Sequence, residues 1–250
     1  LAISNILAGI YMQDFDEFFS SDSSPVLFYR RYVDDILILD PYLSPHFKDE
    51  FESEMDKFQL DLRLSYDKTS LVEVGKSDID YIGYLIRDYH KISVRQKNIQ
   101  SYLNRIARLV SLYKAQKENC SLRPPFISEN DKFETYYKDS INELIAGFKS
   151  NNHLYGWLPY FQSLTDIAML YTLDSVIHRK FLNDDRISDE FRKEIFHVPN
   201  VYWDLKHHSG SNYLEDYDNI TSVDSMRRLL VKWGRINESL HYQDDDIRTM

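Results

Sequence analysis

Two adjacent carboxylates, Asp34 and Asp35, are the residues of this sequence best suited to chemistry. They stand between two apolar segments, VLFYRRYV at 26–33 and ILIL at 36–39. Phosphoryl transfer commonly uses two divalent ions about 3.5–4 Å apart, and Mg²⁺ prefers hard oxygen ligands such as carboxylates. The pair is therefore a candidate metal site. The alternative interpretation is an ordinary acidic turn, because Asp is common in turns.

The segments beside this pair predict the element that positions it. Both are rich in β-branched and aromatic residues, and the polar pair falls where a tight turn would be. We therefore expect a β-hairpin with Asp34 and Asp35 at or beside its tip. Apolar strands on either side would hold the carboxylates still and leave them partly exposed to water.

Further elements are predicted around the hairpin from the spacing of apolar residues. Residues 2–19 have helical spacing, and so do residues 44–59, where Ser-Pro fits the start of a helix. LDLRLSYD at 60–67 alternates like a half-buried strand. SLVEV at 70–74 and DYIGYLIR at 80–87 predict two more short strands.

A basic segment follows these elements. From about Ser93 apolar side chains recur at helical spacing, which predicts an amphipathic helix. Residues 87–117 carry eight Lys or Arg and one acid, although the net charge of the 250-residue chain is −10. Phosphate binding depends on where cations sit rather than on the total. The candidate phosphate contacts are Arg95, Lys97, Arg105 and Arg108. The alternative interpretation is that these cations lie on a solvated helix face and bind no phosphate.

The rest of the chain is predicted to be helical. The segment 121–127, with Pro124-Pro125, is the best candidate for a domain boundary. Helices are expected at about 129–149, 159–182, 186–196 and 222–240, and 197–221 is expected to be polar and irregular. The histidines lack Cys partners and the usual metal-ligand spacing, so we interpret them as surface or capping residues. They include His178, His197, His207 and His208.

Composition narrows the class of protein. No apolar run approaches the roughly 20 residues needed to span a bilayer, and the opening residues lack a basic signal-peptide region. The single cysteine, Cys120, excludes an internal disulfide and favours a reducing cytoplasm. Because Leu1 stands inside an apolar helical pattern with no cap before it, we expect the sequence to be cut from a longer one.

The segment YRRYVDDILIL at 29–39 resembles the metal-binding hairpin of reverse transcriptases, and similar elements flank it in the family's order. LAISNILAGIYMQDFDEFF at 1–19 looks like the end of a palm motif of group II intron and related bacterial enzymes. Tyr66-Asp67-Lys68-Thr69 is similar to the Lys-Thr element. DYIGYLI at 80–86 resembles the primer-grip hairpin, and YGWLPYF at 155–161 resembles a Gly-Trp element of the thumb. The resemblance covers residues 1–115 well and 150–182 loosely.

The resemblance implies roles for the residues of the hairpin and its surroundings. Asp34 would be the principal metal ligand and Asp35 would support it. Tyr32 and Val33 would lie near the primer terminus and the template-paired base. Lys68 would protonate or neutralise the departing pyrophosphate, and a solvated turn lysine is the alternative interpretation.

The other matched elements would contact substrate and nucleic acid. Ser4 would belong to a helix beside the incoming nucleotide. Tyr81, Gly83 and Tyr84 would place the primer end, unless the segment is an ordinary edge hairpin with aromatic packing. The four cations named above fall where the thumb should begin and would contact phosphates.

The fold implied is an α+β right-hand polymerase. Residues 1–92 would be the C-terminal part of the palm, 93–120 a basic thumb helix, and 121–250 a helical domain without strands. The activity implied is RNA-directed DNA synthesis, in which Mg²⁺, or Mn²⁺ in its place, promotes transfer of dNTPs to a primer 3′ end. Expected partners are an RNA template, for which a structured non-coding RNA is one candidate, and the DNA product. The absence of a maturase or integrase module favours a bacterial antiviral defence enzyme, and homo- and hetero-oligomers are both compatible.

One part of the family's site has no counterpart in this sequence. The first metal-binding aspartate of reverse transcriptases lies in a palm strand upstream of the motif at residue 1. We therefore expect this chain to be inactive in isolation and to need an N-terminal segment or another chain. Two alternatives remain open: a non-catalytic RNA-binding or assembly subunit, and a template-independent terminal nucleotidyltransferase.

Overall fold

The computed structural model describes residues 2–42, 44–87, 90–123, 127, 130–208, 211–232, 235–236 and 242–249, without the side chains of 2, 130, 131 and 249. The fold is mixed α+β. The chain divides into two compact units, Leu1–Ile92 and Ser93–Met250. None of the described helices is both long and apolar enough to cross a membrane.

The first unit combines three helices with short antiparallel strands. Its helices are Ala2–Tyr11 (α1), Gln13–Ser20 (α2) and Phe47–Lys57 (α3). Its strands are Phe28–Tyr32 (β1), Asp35–Leu39 (β2), Ile79–Tyr81 (β3), Tyr84–Arg87 (β4) and Lys91–Val94 (β5), the last of which crosses the unit boundary. β1 pairs with β2, and the other three form a sheet in the order β3-β4-β5. The helix predicted over 2–19 is confirmed, with a break at Met12.

Aromatic packing fixes the β1–β2 hairpin against the helices. Phe15 and Phe19, one turn apart on α2, are buried together with Tyr29 of β1 and Phe51 of α3. The ring of Phe15 meets Phe51 edge-on with centroids 5.3 Å apart, and Phe19 stacks on Tyr29 at 5.4 Å. Each such side chain contributes about 1.5–3 kcal/mol by burial. The hairpin therefore rests on a rigid platform.

The strands predicted at 60–67 and 70–74 are wrong. Leu60 is buried, but this segment makes no strand. Side chains satisfy some of its backbone amides: Leu64 N–H donates to the Glu52 carboxylate at 2.8 Å, and Asp61 N–H donates to the Tyr11 hydroxyl at 3.0 Å. An alternation of apolar and polar residues indicates that the segment is half-buried, but it does not show that the segment pairs with another strand. Within 70–74 there is only an isolated bridge, at Val74.

Residues 80–87 form most of a hairpin rather than the single strand that their composition predicts. Tyr81 pairs with Tyr84, which leaves Ile82 and Gly83 as the turn. Both have positive φ, 44° and 87°, the pattern of a type I′ turn that matches the twist of the strands. This agrees with the hairpin implied by the resemblance.

The second unit is mainly helical. Its helices are Gln96–Glu118 (α4), Asn130–Ala146 (α5), Trp157–Tyr160 (α6), Ile167–Val176 (α7), Asp189–Lys193 (α8), Val198–His207 (α9), Val223–Lys232 (α10) and Asp244–Thr249 (α11). Its strands are Phe148–Ser150 (β6), His153–Tyr155 (β7) and Glu215–Asp216 (β8), in the order β7-β6-β8. A π-helical turn, Ile177–Phe181, continues α7.

Two predictions for the second unit are corrected. It is not all-helical, because β6 pairs antiparallel with β7 and parallel with β8. The segment 197–221 is not irregular throughout, since α9 buries Val201, Tyr202 and Leu205 on one face and holds Pro199 in its first turn, where proline is tolerated. The boundary predicted at 121–127 stays a prediction: this segment lies within the second unit, and 124–126 lie outside the described residues.

The other helix predictions agree with the structure in type but are longer than the elements observed. The helix expected at 129–149 ends at Ala146, before β6. The one expected at 159–182 is divided among α6, α7 and the π-helical turn, and α8 occupies only part of 186–196. Within 222–240, α10 ends at Lys232, and 233–234 and 237–240 lie outside the described residues.

Two glycines allow the β6–β7 hairpin to close against the start of α6. Gly156 has φ +136°, and a Cβ placed on it would lie 2.6 Å from Gly147 Cα. The next residue, Trp157, stacks on Tyr102 of α4 with ring centroids 4.4 Å apart. The Gly-Trp element therefore joins the hairpin to the long basic helix inside this unit.

Candidate functional site

The hairpin presents Asp34 and Asp35 at its tip, as the sequence predicts. Tyr32 of β1 pairs with Asp35 of β2, so Val33 and Asp34 form a two-residue turn. Both carboxylates are exposed. The site therefore offers two adjacent acidic side chains on a short turn between paired strands.

The backbone at the tip is strained. Val33 has φ +58°, and Asp34 is not among the positive-φ residues, which resembles a type II′ turn. Glycine is the usual residue at such a position, whereas a β-branched side chain there is an outlier. Holding a non-glycine residue in this region costs about 1–3 kcal/mol and persists only where the surroundings impose it.

Arg31 supplies part of that constraint. Its Nη1 donates to the Val33 carbonyl at 2.8 Å, and its Nε donates to Asp16 Oδ1 of α2 at 2.9 Å. Its Nη2 pairs with Asp16 Oδ2, and the Tyr29 hydroxyl donates to Oδ1 at 2.6 Å. The Arg31 side chain is only 11% exposed. A carboxylate on α2 thus fixes the guanidinium that holds the strained turn.

The protonation states of this network are set by burial and by the neighbours. Burial raises the pKa of Asp16, but the hydrogen bonds from Arg31 and Tyr29 and the Arg31 charge outweigh it, so the pKa is lowered from 3.8. Burial, and then the hydrogen bond to Asp16, raise the pKa of Tyr29. At neutral pH Asp16 is therefore ionised and accepts, while Tyr29 keeps its proton and donates.

The hairpin carboxylates suit Mg²⁺ chemically, because they are hard oxygen donors. They supply only part of a coordination sphere, since the described residues contain one group of three His, Cys, Asp or Glu ligand atoms close enough to share an ion, and it lies elsewhere. Asp34 and Asp35 thus need further oxygen ligands to hold two ions.

Lys68 lies in an exposed turn. Its backbone N–H donates to the Ser65 carbonyl at 2.9 Å. Lys48 orders the same turn, because its Nζ donates to the Thr69 carbonyl at 2.7 Å and lies 5.2 Å from the ring centroid of Tyr66. Within the described chain no ion pair joins Lys68 to either hairpin carboxylate, so its role at pyrophosphate stays a prediction.

The remaining predicted substrate contacts lie on three elements. Tyr32 is 60% exposed beside the turn, and Ser4 is exposed on α1. Gly83 is buried between the half-buried Tyr81 and Tyr84. Tyr32 pairs with Asp35 across the hairpin, and the roles of all these residues at the substrate remain predictions.

The Lys and Arg residues of the basic helix α4 lie on different faces of the helix. Lys97, Arg105 and Arg108 line an open groove on α4 with Gln100, Ser101 and Asn104. The opposite face of α4 is buried along Ile99, Tyr102, Ile106, Val110 and Tyr113. No described acid forms an ion pair with the three groove cations. Arg95 is exposed and immediately precedes the helix.

Two further cations of this segment serve the fold instead. Lys114 pairs with Asp184 at 3.2 Å, and Lys117 pairs with Glu134 at 3.0 Å. The structure therefore brings together three of the four predicted phosphate contacts and separates them from lysines that are used internally.

Sequence reasoning missed one cluster of potential ligands. Asp174, His178 and His197 place one ligand atom each within 4.8 Å of one another. His197 occupies the position before α9, but its side chain makes no capping hydrogen bond, and the His178 side chain is only 17% exposed, so the surface or capping interpretation is wrong for His178. The available signal was the spacing of Asp174 and His178, which at i and i+4 lie on one helical face. The position of His197 depends on tertiary structure.

No protein-family model matches this chain, and neither a curated protein nor a solved structure matches it. The functional interpretation therefore depends on two local features. One is the exposed carboxylate pair on a turn that Arg31 holds, and the other is the row of cations along α4. The first can bind divalent ions and the second can bind phosphates.

Proposed function

We propose that this chain is part of an RNA-directed DNA polymerase of the reverse-transcriptase type, with Asp34 and Asp35 in its metal site. The observation that carries the proposal is the exposed carboxylate pair on a strained two-residue turn held by Arg31. Strain that the surroundings maintain is concentrated at functional sites. An ordinary acidic turn would need neither a left-handed valine nor a half-buried ion pair to hold it.

The chemistry of the hairpin is nucleotidyl transfer. Bound Mg²⁺, or Mn²⁺ in its place, supplies activation of a primer 3′-hydroxyl and charge stabilisation of the leaving pyrophosphate. Asp34 is the main ligand and Asp35 supports the site. The proposal requires a further carboxylate from another segment or another chain, because no described group of three His, Cys, Asp or Glu side chains includes Asp34 or Asp35.

Neighbouring residues place the substrates. Tyr32 and Val33, exposed at the turn, contact the primer terminus and the template-paired base. Lys68 neutralises the departing pyrophosphate, and Ser4 lies beside the incoming dNTP. The hairpin turn at Ile82-Gly83 positions the primer end, because Gly83 has no side chain and lets the backbone approach closely.

The groove on α4 binds the nucleic-acid backbone. Lys97, Arg105 and Arg108 share one exposed face and carry no described acidic partner, so they remain available for phosphates. Asn104 and Gln100 between them offer hydrogen-bond donors to phosphate or sugar oxygens. Such contacts bind without reading sequence, as a polymerase requires of its template–primer duplex.

The proposed biological setting is a bacterial antiviral defence system, and it depends on the resemblance to bacterial reverse transcriptases. A structured non-coding RNA is one candidate for the template. The single cysteine, Cys120, favours the cytoplasm. Homo- and hetero-oligomers both remain compatible with this proposal.

A non-catalytic RNA-binding or assembly subunit is the second candidate. It is favoured by one observation: among the described residues, neither Asp34 nor Asp35 belongs to a group of three His, Cys, Asp or Glu side chains close enough to share an ion. The α4 groove would serve such a subunit equally well. Catalysis therefore has to be tested separately from RNA binding.

The deciding experiment uses the full-length polypeptide purified with its bound RNA. Labelled dNTPs are supplied with Mg²⁺, and the products are sequenced. We expect DNA complementary to the RNA. Homopolymeric or random DNA would identify a template-independent terminal transferase instead, and RNA binding without any DNA product would identify the scaffold.

A further inference from the structure

The second unit contains a cluster of ligands that nucleotidyl transfer does not use. Asp174 lies on α7, His178 lies on the π-helical turn that follows, and His197 lies immediately before α9. We propose that these three residues bind one divalent ion of the zinc class. The proposal is independent of the hairpin carboxylates and of the polymerase assignment.

The distances within the cluster suit a tetrahedral ion. His197 Nδ1 lies 2.9 Å from Asp174 Oδ2, and His178 Nε2 lies 3.7 Å from Asp174 Oδ1. With metal–ligand bonds of about 2.0–2.1 Å, two ligands of a tetrahedral zinc lie about 3.3 Å apart. The two observed distances lie on either side of this value and involve different oxygens of Asp174. The imidazoles of His178 and His197 stack with ring centroids 4.1 Å apart, so both rings must turn until their nitrogens point at the same position. Turning the rings in this way gives a three-ligand site.

The carboxylate is already oriented by a neighbouring group. Val198 N–H, at the start of α9, donates to Asp174 Oδ1 at 2.9 Å. Backbone hydrogen bonds of this kind commonly orient metal-binding carboxylates. His178 lies on a π-helical turn, and such turns are frequent at functional sites. Three separate segments thus converge on one point.

The imidazoles can release the nitrogens that the ion needs. His178 Nε2 is 3.2 Å from the Phe196 carbonyl, and His197 Nδ1 faces the Asp174 carboxylate. Without the ion each of these nitrogens carries the proton. When the ion binds, the proton leaves for the other nitrogen of the same ring and the freed lone pair becomes the ligand. Burial lowers the pKa of His178, which favours the neutral ring that metals require.

A buried hydroxyl nearby has unmet hydrogen-bonding capacity. Tyr102 is 2% exposed, and its hydroxyl finds no hydrogen-bond partner among the described residues. Burial, and then the Asp174 charge, raise its pKa. The site is open to solvent at His197, whose side chain is 54% exposed. Three protein ligands with an open position leave room for a water or another ligand.

The ligand types select the ion. Imidazole suits Zn²⁺, Co²⁺, Ni²⁺ and Cu²⁺, whereas Mg²⁺ prefers oxygen ligands only. The ion would link the end of α7 to the start of α9. It would therefore stabilise the second unit by an amount that rises with the logarithm of the free ion concentration relative to the dissociation constant.

The test measures Zn²⁺ binding to the full-length protein in competition with a chromophoric chelator. We expect wild type to bind one Zn²⁺ at this site, and His197→Gln to bind it at least about 100-fold more weakly. Co²⁺ should give the intense visible absorption of a tetrahedral ion in wild type and lose it in the variant. His197 is exposed, so its replacement leaves the core intact, and circular dichroism verifies the fold.

The matched control is His208→Gln. His208 Nδ1 lies 2.8 Å from Asp204 Oδ1 in another Asp–His pair at i and i+4, but no third donor completes that pair in the described chain. This control should bind Zn²⁺ as wild type does. The inference is overturned if wild type takes up no Zn²⁺ at micromolar concentration, or if His197→Gln binds it as tightly as wild type.

Discussion

Replacing Arg31 with Met should loosen the hairpin tip. Methionine keeps much of the apolar stem of the side chain and removes the guanidinium. The substitution deletes the hydrogen bond to the Val33 carbonyl and the three hydrogen bonds to Asp16. It leaves the Asp16 carboxylate with the Tyr29 hydroxyl as the remaining donor of this network. We therefore expect local destabilisation around β1–β2.

The magnitude follows from the burial of the pair. Breaking a fully buried ion pair costs about 3–5 kcal/mol. The Asp16 side chain is 28% exposed, so solvent recovers part of this loss, and we expect about 2–3 kcal/mol. Since 1.4 kcal/mol is a factor of ten, protection of the β1–β2 amides against hydrogen exchange should fall by about 30- to 150-fold.

Hydrogen exchange with mass spectrometry is the suitable assay, because it reports local opening. The first unit contains no Trp, so Trp fluorescence would report the other unit. The control is Arg63→Met, which removes an ion pair to Asp56 whose partners are both 57% exposed; exposed pairs contribute little. Equal protection of the hairpin in wild type and Arg31→Met would refute the reasoning.

The Arg31–Asp16 ion pair also predicts that the stability of the protein depends on pH. The pKa of Asp16 is lowered in the folded protein from its ordinary 3.8. A lowered carboxylate pKa contributes stability that is present above the unfolded pKa and is lost as pH falls through the folded pKa. The stability advantage of wild type over Arg31→Met should therefore be constant near neutral pH and shrink below about pH 4. Thermal unfolding of both proteins across this pH range measures the stability difference. The same difference at pH 3 as at neutral pH would contradict the prediction.

Three further predictions concern the turn, the glycine contact and the basic groove. Val33→Gly should stabilise the protein by about 1 kcal/mol in urea unfolding, because glycine adopts positive φ without strain, yet slow nucleotide incorporation by loosening the tip. Gly156→Ala should destabilise by at least about 1–3 kcal/mol, because its Cβ would lie 2.6 Å from Gly147 Cα. Replacing Arg105 and Arg108 with Gln should weaken RNA binding and reduce the slope of log affinity against log salt by about 2.

Matched variants keep these predictions specific. Lys114→Gln with Lys117→Gln removes the same charge from α4 but takes it from lysines paired with acids, so the salt slope should stay near that of wild type. Gly9→Ala is the control for Gly156, because nothing lies within 4 Å of a Cβ at Gly9. If variant and control had equal effects, the change in salt slope or in stability would be caused by total charge or by glycine content, and not by the position of the residue.

The hairpin and the basic helix were predictable because their signals are local. Aromatic and β-branched residues flank Asp34-Asp35, and the stripe from Ile99 to Tyr113 repeats at helical spacing. The contact that holds the turn was not predictable, since Asp16 and Arg31 are 15 residues apart and meet only after α2 packs on β1. The local pattern of residues predicts the helix or the hairpin, whereas tertiary packing determines which distant residue contacts it.

Other features could not be predicted from the sequence for the same physical reason. In the segment 60–67, Leu60 and Leu64 pack into the cluster formed with α2 and α3 without a partner strand, whereas Leu62 is exposed. β8 is two residues long and lies beside β6 through a contact distant in sequence. The cluster at Asp174 joins three segments, of which only two are neighbours in the chain. Long-range contacts of this type leave no periodic signal.

The central claim is that Asp34 holds a metal ion for nucleotidyl transfer. The measurement is the initial rate of dNTP incorporation by the full-length protein with its RNA in Mg²⁺, for wild type, Asp34→Asn and the exposed control Asp40→Asn. Losing about 4 kcal/mol of metal-assisted stabilisation should lower the rate about 1,000-fold in Asp34→Asn, while Asp40→Asn stays close to wild type. Equal rates in all three proteins would contradict the assignment of the hairpin.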